Sequence, residues 1–113
     1  MKPIIVVSPK LTKLLSIFID VYAITIFPFI FCFEPINDIV ENHETIHYEQ
    51  QKELLLVFFY LLYAFFFIKG YVQYGDYYKA YMSIPFEKEA YANQRNLEYL
   101  EQRHRFSWLN YLK

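Results

Sequence analysis

Residues 43–47 read His43-Glu44-Thr45-Ile46-His47. On a helix, two imidazoles four positions apart lie on one face, one turn above the other. They can grip one metal from the same side, while Glu44, displaced around the helix, reaches a water on that metal without ligating it. Two neutral ring nitrogens suit Zn2+, and the carboxylate can take a proton from the bound water. With three His and nine Glu in 113 residues, a shuffled chain shows this H-E-x-x-H pattern about 0.4% of the time. The bland alternative is two surface histidines on an ordinary helix.

A hydrolytic zinc site needs a third protein ligand and an open position. The metzincin continuation, with Gly at position 50 and His at position 53, fails here because the chain has Gln50 and Glu53. Glu53 is six residues past His47, about 240° around the helix and on the wrong face. A second source is the segment Pro85-Phe86-Glu87-Lys88-Glu89-Ala90-Tyr91-Ala92. A third is His104, but Arg103 and Arg105 flank it. Two adjacent cations oppose a metal there, so a solvated tail histidine is expected.

The H-E-x-x-H pair followed by a helix that opens Glu87-Lys88-Glu89-Ala90 resembles the gluzincin branch of zincin metallopeptidases. In the membrane CAAX-endoprotease type and the ImmA/IrrE type of that branch, a later helix carries such an E-x-E-A segment and its first Glu is the third ligand. The likeness covers about residues 40–95. It implies that His43, His47 and Glu87 bind zinc, and that Glu44 is general base and then acid to the leaving amine. It also implies a peptide or protein substrate that adds as a strand along residues 23–31. Around Glu87 the alternation fits one inward and one solvated carboxylate, with small Ala90 allowing close approach. One position departs from the pattern. Tyr91 stands where related sequences often have Asp or Asn to steady a ligating His, and a phenol does not accept as a carboxylate does.

The elements that must carry these residues follow from the apolar pattern. Residues 4–7 predict a strand. Residues 10–21 predict an amphipathic helix through Leu11, Leu14, Leu15, Phe18 and Ile19. Residues 23–33 predict one extended strand at a sheet edge, because Pro28 would cost a helix interior about 3 kcal/mol. Asp38 with Glu41 fits a capping box that opens the site helix, from about Ile39 through Lys52. The charge-free run 54–68 continues it. Lys69-Gly70 reads as a helix end, and Asp76 as the cap of a short helix through Met82. Ser83 and Pro85 open a last long helix to about Arg103, after which residues 104–113 pack back. Gln50 and Gln51 could touch substrate or the last helix, with plain helix surface the expected reading, and Cys32 reads as core. The expected fold is α+β and predominantly helical: a minimal zincin-like single domain over residues 1–113, with a short sheet, an H-E-x-x-H helix and a second ligand-bearing helix.

Composition removes several classes. Hydrophobic residues make up 56% and aromatic residues 22% of the chain, with net charge -1. Disorder is excluded, and so is general nucleic-acid binding, for want of basic excess. Cys32 alone cannot form a disulfide within the chain. Residues 34–53 hold six acids against Lys52 alone, a local field that favours cations around two of the three histidines.

Two apolar segments raise a membrane question. Residues 14–33 are interrupted by Asp20 and Pro28. Residues 54–68 would reach only about 22 Å as a helix, against a hydrocarbon core of about 30 Å. No signal-peptide cleavage pattern follows the first apolar stretch. The basic ends and acidic middle suit a two-span hairpin with cytoplasmic termini. Such a crossing would part His43 and His47 from Glu87, so the motif pair argues for a compact cytoplasmic or membrane-associated domain. Peripheral membrane contact would use the aromatic surface around Tyr71, Tyr74, Tyr77, Tyr78 and Tyr81. Two further functions remain open. One is a zincin-like metal-binding module without turnover, working as an interaction or membrane-surface protein. The other is a di-iron bundle using Glu44-x-x-His47 and Glu101-x-x-His104 with Glu87 or Glu49. Arginines flank its second pair, and His43 has no role in it.

Overall fold

The computed structural model describes residues 2–15 and 23–112. Strand β1 (Ile4–Val7) leads into helix α1 (Pro9–Leu15), and a hairpin follows of β2 (Ala23–Ile26) and β3 (Phe29–Cys32). The site-bearing part comprises helices α2 (Asp38–Glu53), α3 (Val57–Tyr74), α4 (Tyr77–Met82), α5 (Pro85–Asn93) and α6 (Tyr99–Gln102). A 3-10 turn over Ser107–Tyr111 comes last. This is an α+β fold, predominantly helical. The Cα radius of gyration is 13.6 Å, near the ~13 Å of a compact chain of this length.

In the sheet β3 is central, parallel to β1 and antiparallel to β2. Residues 23–33 are therefore a hairpin and not one strand, with Phe27 and Pro28 in the turn, where Pro disturbs no ladder. Ile30 and Cys32 face inward and are buried, as a period of two requires. Of the helix expected over 10–21, residues 16 onward lie outside the described residues.

Helix α2 is capped by Asn37 and not by Asp38: Asn37 Oδ1 accepts the Val40 N–H at 2.9 Å. Asp38 and Glu41 remain in the first turn, where negative charge meets the positive end of the dipole. The expected run-on from α2 into residues 54–68 does not occur. Leu55 and Leu56 take positive φ of 55° and 63°, sparsely populated conformations that cost residues with a Cβ about 1–3 kcal/mol each. The Leu56 N–H reaches back to the Gln51 carbonyl at 2.8 Å. The break redirects the chain so that α3 lays Phe59 and Tyr63 over the site.

Helix α3 also runs through Lys69-Gly70 rather than ending there. A Cβ at Gly70 would collide with Ser83 Oγ and lie 3.0 Å from the Ala80 Cα, so this glycine permits the close α3–α4 approach. The helix ends at Gly75, φ 65°. Asp76 then caps α4, accepting the Lys79 N–H at 2.8 Å. With 18 residues, α3 is long and apolar enough to cross a membrane by length and composition, although the run 54–68 looked too short.

The last helix stops at Asn93 instead of reaching Arg103. Asn42 of α2 gathers the carbonyls of Asn93, Gln94 and Asn96 at 3.1, 2.8 and 3.1 Å, satisfying acceptors that a helix end leaves open. The tail packs back as expected, setting Trp108 4.8 Å from the Phe86 ring. Phe59, Ile84, Phe86 and Trp108 form the core beside the site.

Candidate metal centre

Helix α2 turns Asn42, His43, Glu44, Ile46, His47, Gln50 and Gln51 inward. Helix α5 meets it with Glu87 and Glu89, both buried. The structure brings all four expected site residues together. His43, Glu44, His47 and Glu87 are each 5–8% exposed. Glu87 Oε1 lies 3.3 Å from His43 Nε2 and 3.0 Å from His47 Nε2. Glu44 Oε2 is farther, 3.9 Å from His43 Nε2. Ligand atoms of His43, Glu44 and His47 lie within 4.8 Å of one another, so this buried group could hold a metal ion.

The tautomers are set from behind. His43 Nδ1 is 2.8 Å from Gln94 Oε1, and His47 Nδ1 is 2.7 Å from Gln50 Oε1. An amide oxygen only accepts, so each Nδ1 carries its hydrogen. The Gln50 orientation is itself determined, because its Nε2 donates to the Phe86 carbonyl at 3.0 Å and to Glu89 Oε1 at 2.9 Å. Neutral His43 and His47 therefore both present an Nε2 lone pair to Glu87 Oε1. Three lone pairs at this spacing repel unless a proton or a metal ion lies among them. Bonds of about 2.0–2.2 Å to a tetrahedral zinc would place donors about 3.3–3.5 Å apart, close to the observed separations. The donor set could hold a metal ion.

Without a metal, a proton fills that role. Burial alone would lower the His47 pKa, but the Glu87 carboxylate outweighs it and His47 is pushed up to about 9. Burial would raise Glu87, and the His47 and His43 charges and hydrogen bonds overcome it, so its carboxyl lies well below the ordinary value. For Glu44 burial wins: its pKa is raised despite the pull of His47 and His43. Thr25 of β2 steadies Glu44, with Oγ1 2.8 Å from Oε1 and 3.0 Å from the backbone oxygen. Tyr63 of α3 donates to Glu87 Oε2 at 2.7 Å.

Several sequence readings need correction. Glu89 is not solvated but fully buried. Arg103 Nε donates to its Oε2 at 2.6 Å, Arg103 Nη2 to its Oε1 at 3.1 Å, and Tyr99 to Oε2 at 2.5 Å. Gln50 and Gln51 are not helix surface; both are buried. Gln51 Nε2 donates to the Thr25 carbonyl, and Gln51 Oε1 accepts the Phe27 N–H, both at 2.7 Å. These are backbone groups that a peptide adding along β2 would use. Tyr91 takes no part in orienting a ring nitrogen. Its ring packs edge-on against His43 at 4.5 Å, its hydroxyl pairs with Tyr81 at 3.0 Å, and Gln94 holds the imidazole instead. Glu53 is off the site, as expected, and pairs with Arg103 at 2.6 Å. His104 and Glu101 are exposed and belong to no metal-ligating cluster among the described residues.

Gln94, Thr25 and Tyr63 were missed as site residues, and Gln50 was expected at most to touch substrate or the last helix, not to orient His47. A signal existed for Gln50: His43, Ile46, His47 and Gln50 follow the i, i+3, i+4, i+7 spacing of one helix face. No family model, curated protein or solved structure matches the chain.

Proposed function

We propose that this protein is a zinc-dependent hydrolase of the gluzincin kind, acting on a peptide or protein. The observation that carries the reading is the convergence of two Nε2 lone pairs and Glu87 Oε1, with both Nδ1 atoms anchored to amide oxygens. His43, His47 and Glu87 hold the ion. A zinc ion held there would supply Lewis acidity and acidify a water toward a pKa of about 7. Glu44 takes the proton of the attacking water at Oε2 while Thr25 holds Oε1. It then delivers that proton to the leaving nitrogen. Gln50 and Gln94 fix the imidazoles, and Tyr63 fixes the second oxygen of Glu87.

A second reading is a metal-holding module without turnover. It is favoured by the burial of all four site residues and by Gln51 occupying the Thr25 carbonyl and Phe27 N–H. One experiment separates the two. Zinc-loaded full-length protein is assayed on a mixed peptide library by mass spectrometry, beside Glu44→Gln. The hydrolase reading expects wild-type cleavage that falls at least about a hundredfold in Glu44→Gln, with zinc retained in both. Bound zinc with no cleavage in either protein gives the second reading.

A further inference from the structure

Helix α3 is apolar on both faces. Its inner face supplies Phe59, Leu62, Tyr63 and Phe66 to the core. At 100° per residue, Val57, Phe58, Leu61, Phe65, Ile68 and Val72 fall on one opposite stripe about 100° wide, and they are 56–81% exposed. A helix that is hydrophobic all round needs an apolar medium on both sides. We propose that the outer face of α3 lies in the plane of a lipid bilayer, with this stripe at the boundary between headgroups and acyl chains.

Three observations choose lipid over a second copy of the chain. First, the stripe contains no charge, and no acid occurs anywhere between Glu53 and Asp76. Lys69, exposed at the stripe's flank, can extend its ammonium to headgroups while its stem stays apolar. Second, Tyr71, Tyr74, Tyr77 and Tyr78 are exposed together at the α3–α4 end. Phenol rings favour the headgroup level, where one end is wet and the other apolar. Third, the projected face is about 27 Å by about 10 Å, about 270 Å2. Even doubled for side-chain relief it stays below the ~800 Å2 per partner of a stable protein interface, whereas a bilayer sets no such minimum. The helix lies in the plane rather than crossing, because its inner face is already packed against Phe86 and Trp108. A crossing would carry the buried Glu53–Arg103–Glu89 cluster to membrane depth.

The test is flotation of the purified full chain with phosphatidylcholine vesicles, with and without phosphatidylglycerol. Wild type is compared with a Leu61→Asn, Phe65→Asn double variant and with a Leu97→Asn, Leu109→Asn control on other exposed leucines. The proposal expects wild type and control to float, and the α3 variant to bind at least about tenfold more weakly. Val72→Trp, read against the Trp108 background, is the second measurement if the double variant misfolds. Quenching by lipids brominated near the headgroup is expected, with weak quenching by bromines at the bilayer centre. No flotation of wild type overturns the proposal. So does a solution dimer that the α3 variant dissociates, or central quenching with resistance to alkaline extraction, which would mean a spanning helix. None of these readouts depends on metal or turnover.

Discussion

Glu87 and Glu89 sit two residues apart on α5, both buried, and their surroundings differ in one respect that decides what each can do. Glu89 faces Arg103, a cation that keeps its charge in any protein environment, and it also accepts from Tyr99 and Gln50. Glu87 faces two imidazoles and a phenol. Its positive partner is a proton that can leave. The first cluster is complete without any ligand, and the second holds a cation position that a metal can take. Gln50 joins them, with its oxygen on His47 and its nitrogen on Glu89. Buried carboxylates therefore do not mark a metal site in themselves; the exchangeability of the balancing charge does.

The sharpest way to break this contrast is to remove the balancing cation from each side. Arg103→Met strands Glu53 and Glu89 and should cost about 3–5 kcal/mol in urea denaturation, with or without zinc. Glu87→Gln should cost the metal-free protein far less, because His47 then sheds its proton and becomes neutral, yet zinc binding should be lost. Equal destabilisation by the two substitutions would erase the distinction.

Gln50→Leu tests the bridge. It should weaken zinc binding about 10–100-fold by freeing the His47 tautomer, and it should also lower denaturation stability through Glu89. Gln94→Leu should cost similar zinc affinity through His43 without the second effect. If both variants bind zinc like wild type in a competing-chelator titration, the tautomer argument fails.

The pH dependence sharpens the comparison further. Folding raises His47 from 6.5 to about 9. Its support for the metal-free fold is therefore full below about 6.5 and lost as pH rises through about 9. Folding lowers Glu87 from 4.5, so its support is present above that value and lost as pH falls through the lowered one. Metal-free stability from this pair is greatest between 4.5 and 6.5. Zinc must displace the His47 proton, so its affinity should climb across the range where the metal-free pair weakens. Calorimetry in buffers of different ionisation enthalpy should find about one proton released per zinc at neutral pH. The smallest effect belongs to Tyr63→Phe, which removes a donor from the outer oxygen of Glu87 and should reduce zinc affinity by less than about tenfold.

The contrast also shows what one-dimensional reading can reach. His43, Glu44 and His47 were legible because their chemistry is written in local i to i+4 spacing on one helix, whereas Glu87 was singled out only by the resemblance of Glu87-Lys88-Glu89-Ala90 to the gluzincin pattern. Asp76 and Pro85 announced their helices for the same local reason. The break at Leu55-Leu56 was invisible, since no Gly or Pro marks its positive φ angles and their cost is offset by the tertiary packing of α3. Gln50, Gln51 and Gln94 look like surface residues. Gln50 and Gln51 are buried and Gln94 half-buried by partners 24 to 51 positions away, which no local pattern encodes. Glu89 was misread because Arg103, beyond the end of α5, returns to cover it.

The most direct test of the central claim is zinc stoichiometry by elemental analysis of the purified full chain, comparing wild type, Glu87→Gln and His104→Ala. The account predicts one zinc per chain in wild type and in His104→Ala, and none in Glu87→Gln. Wild type without zinc after incubation with the metal, or Glu87→Gln retaining it unchanged, would contradict the assignment of Glu87 to an exchangeable cation site.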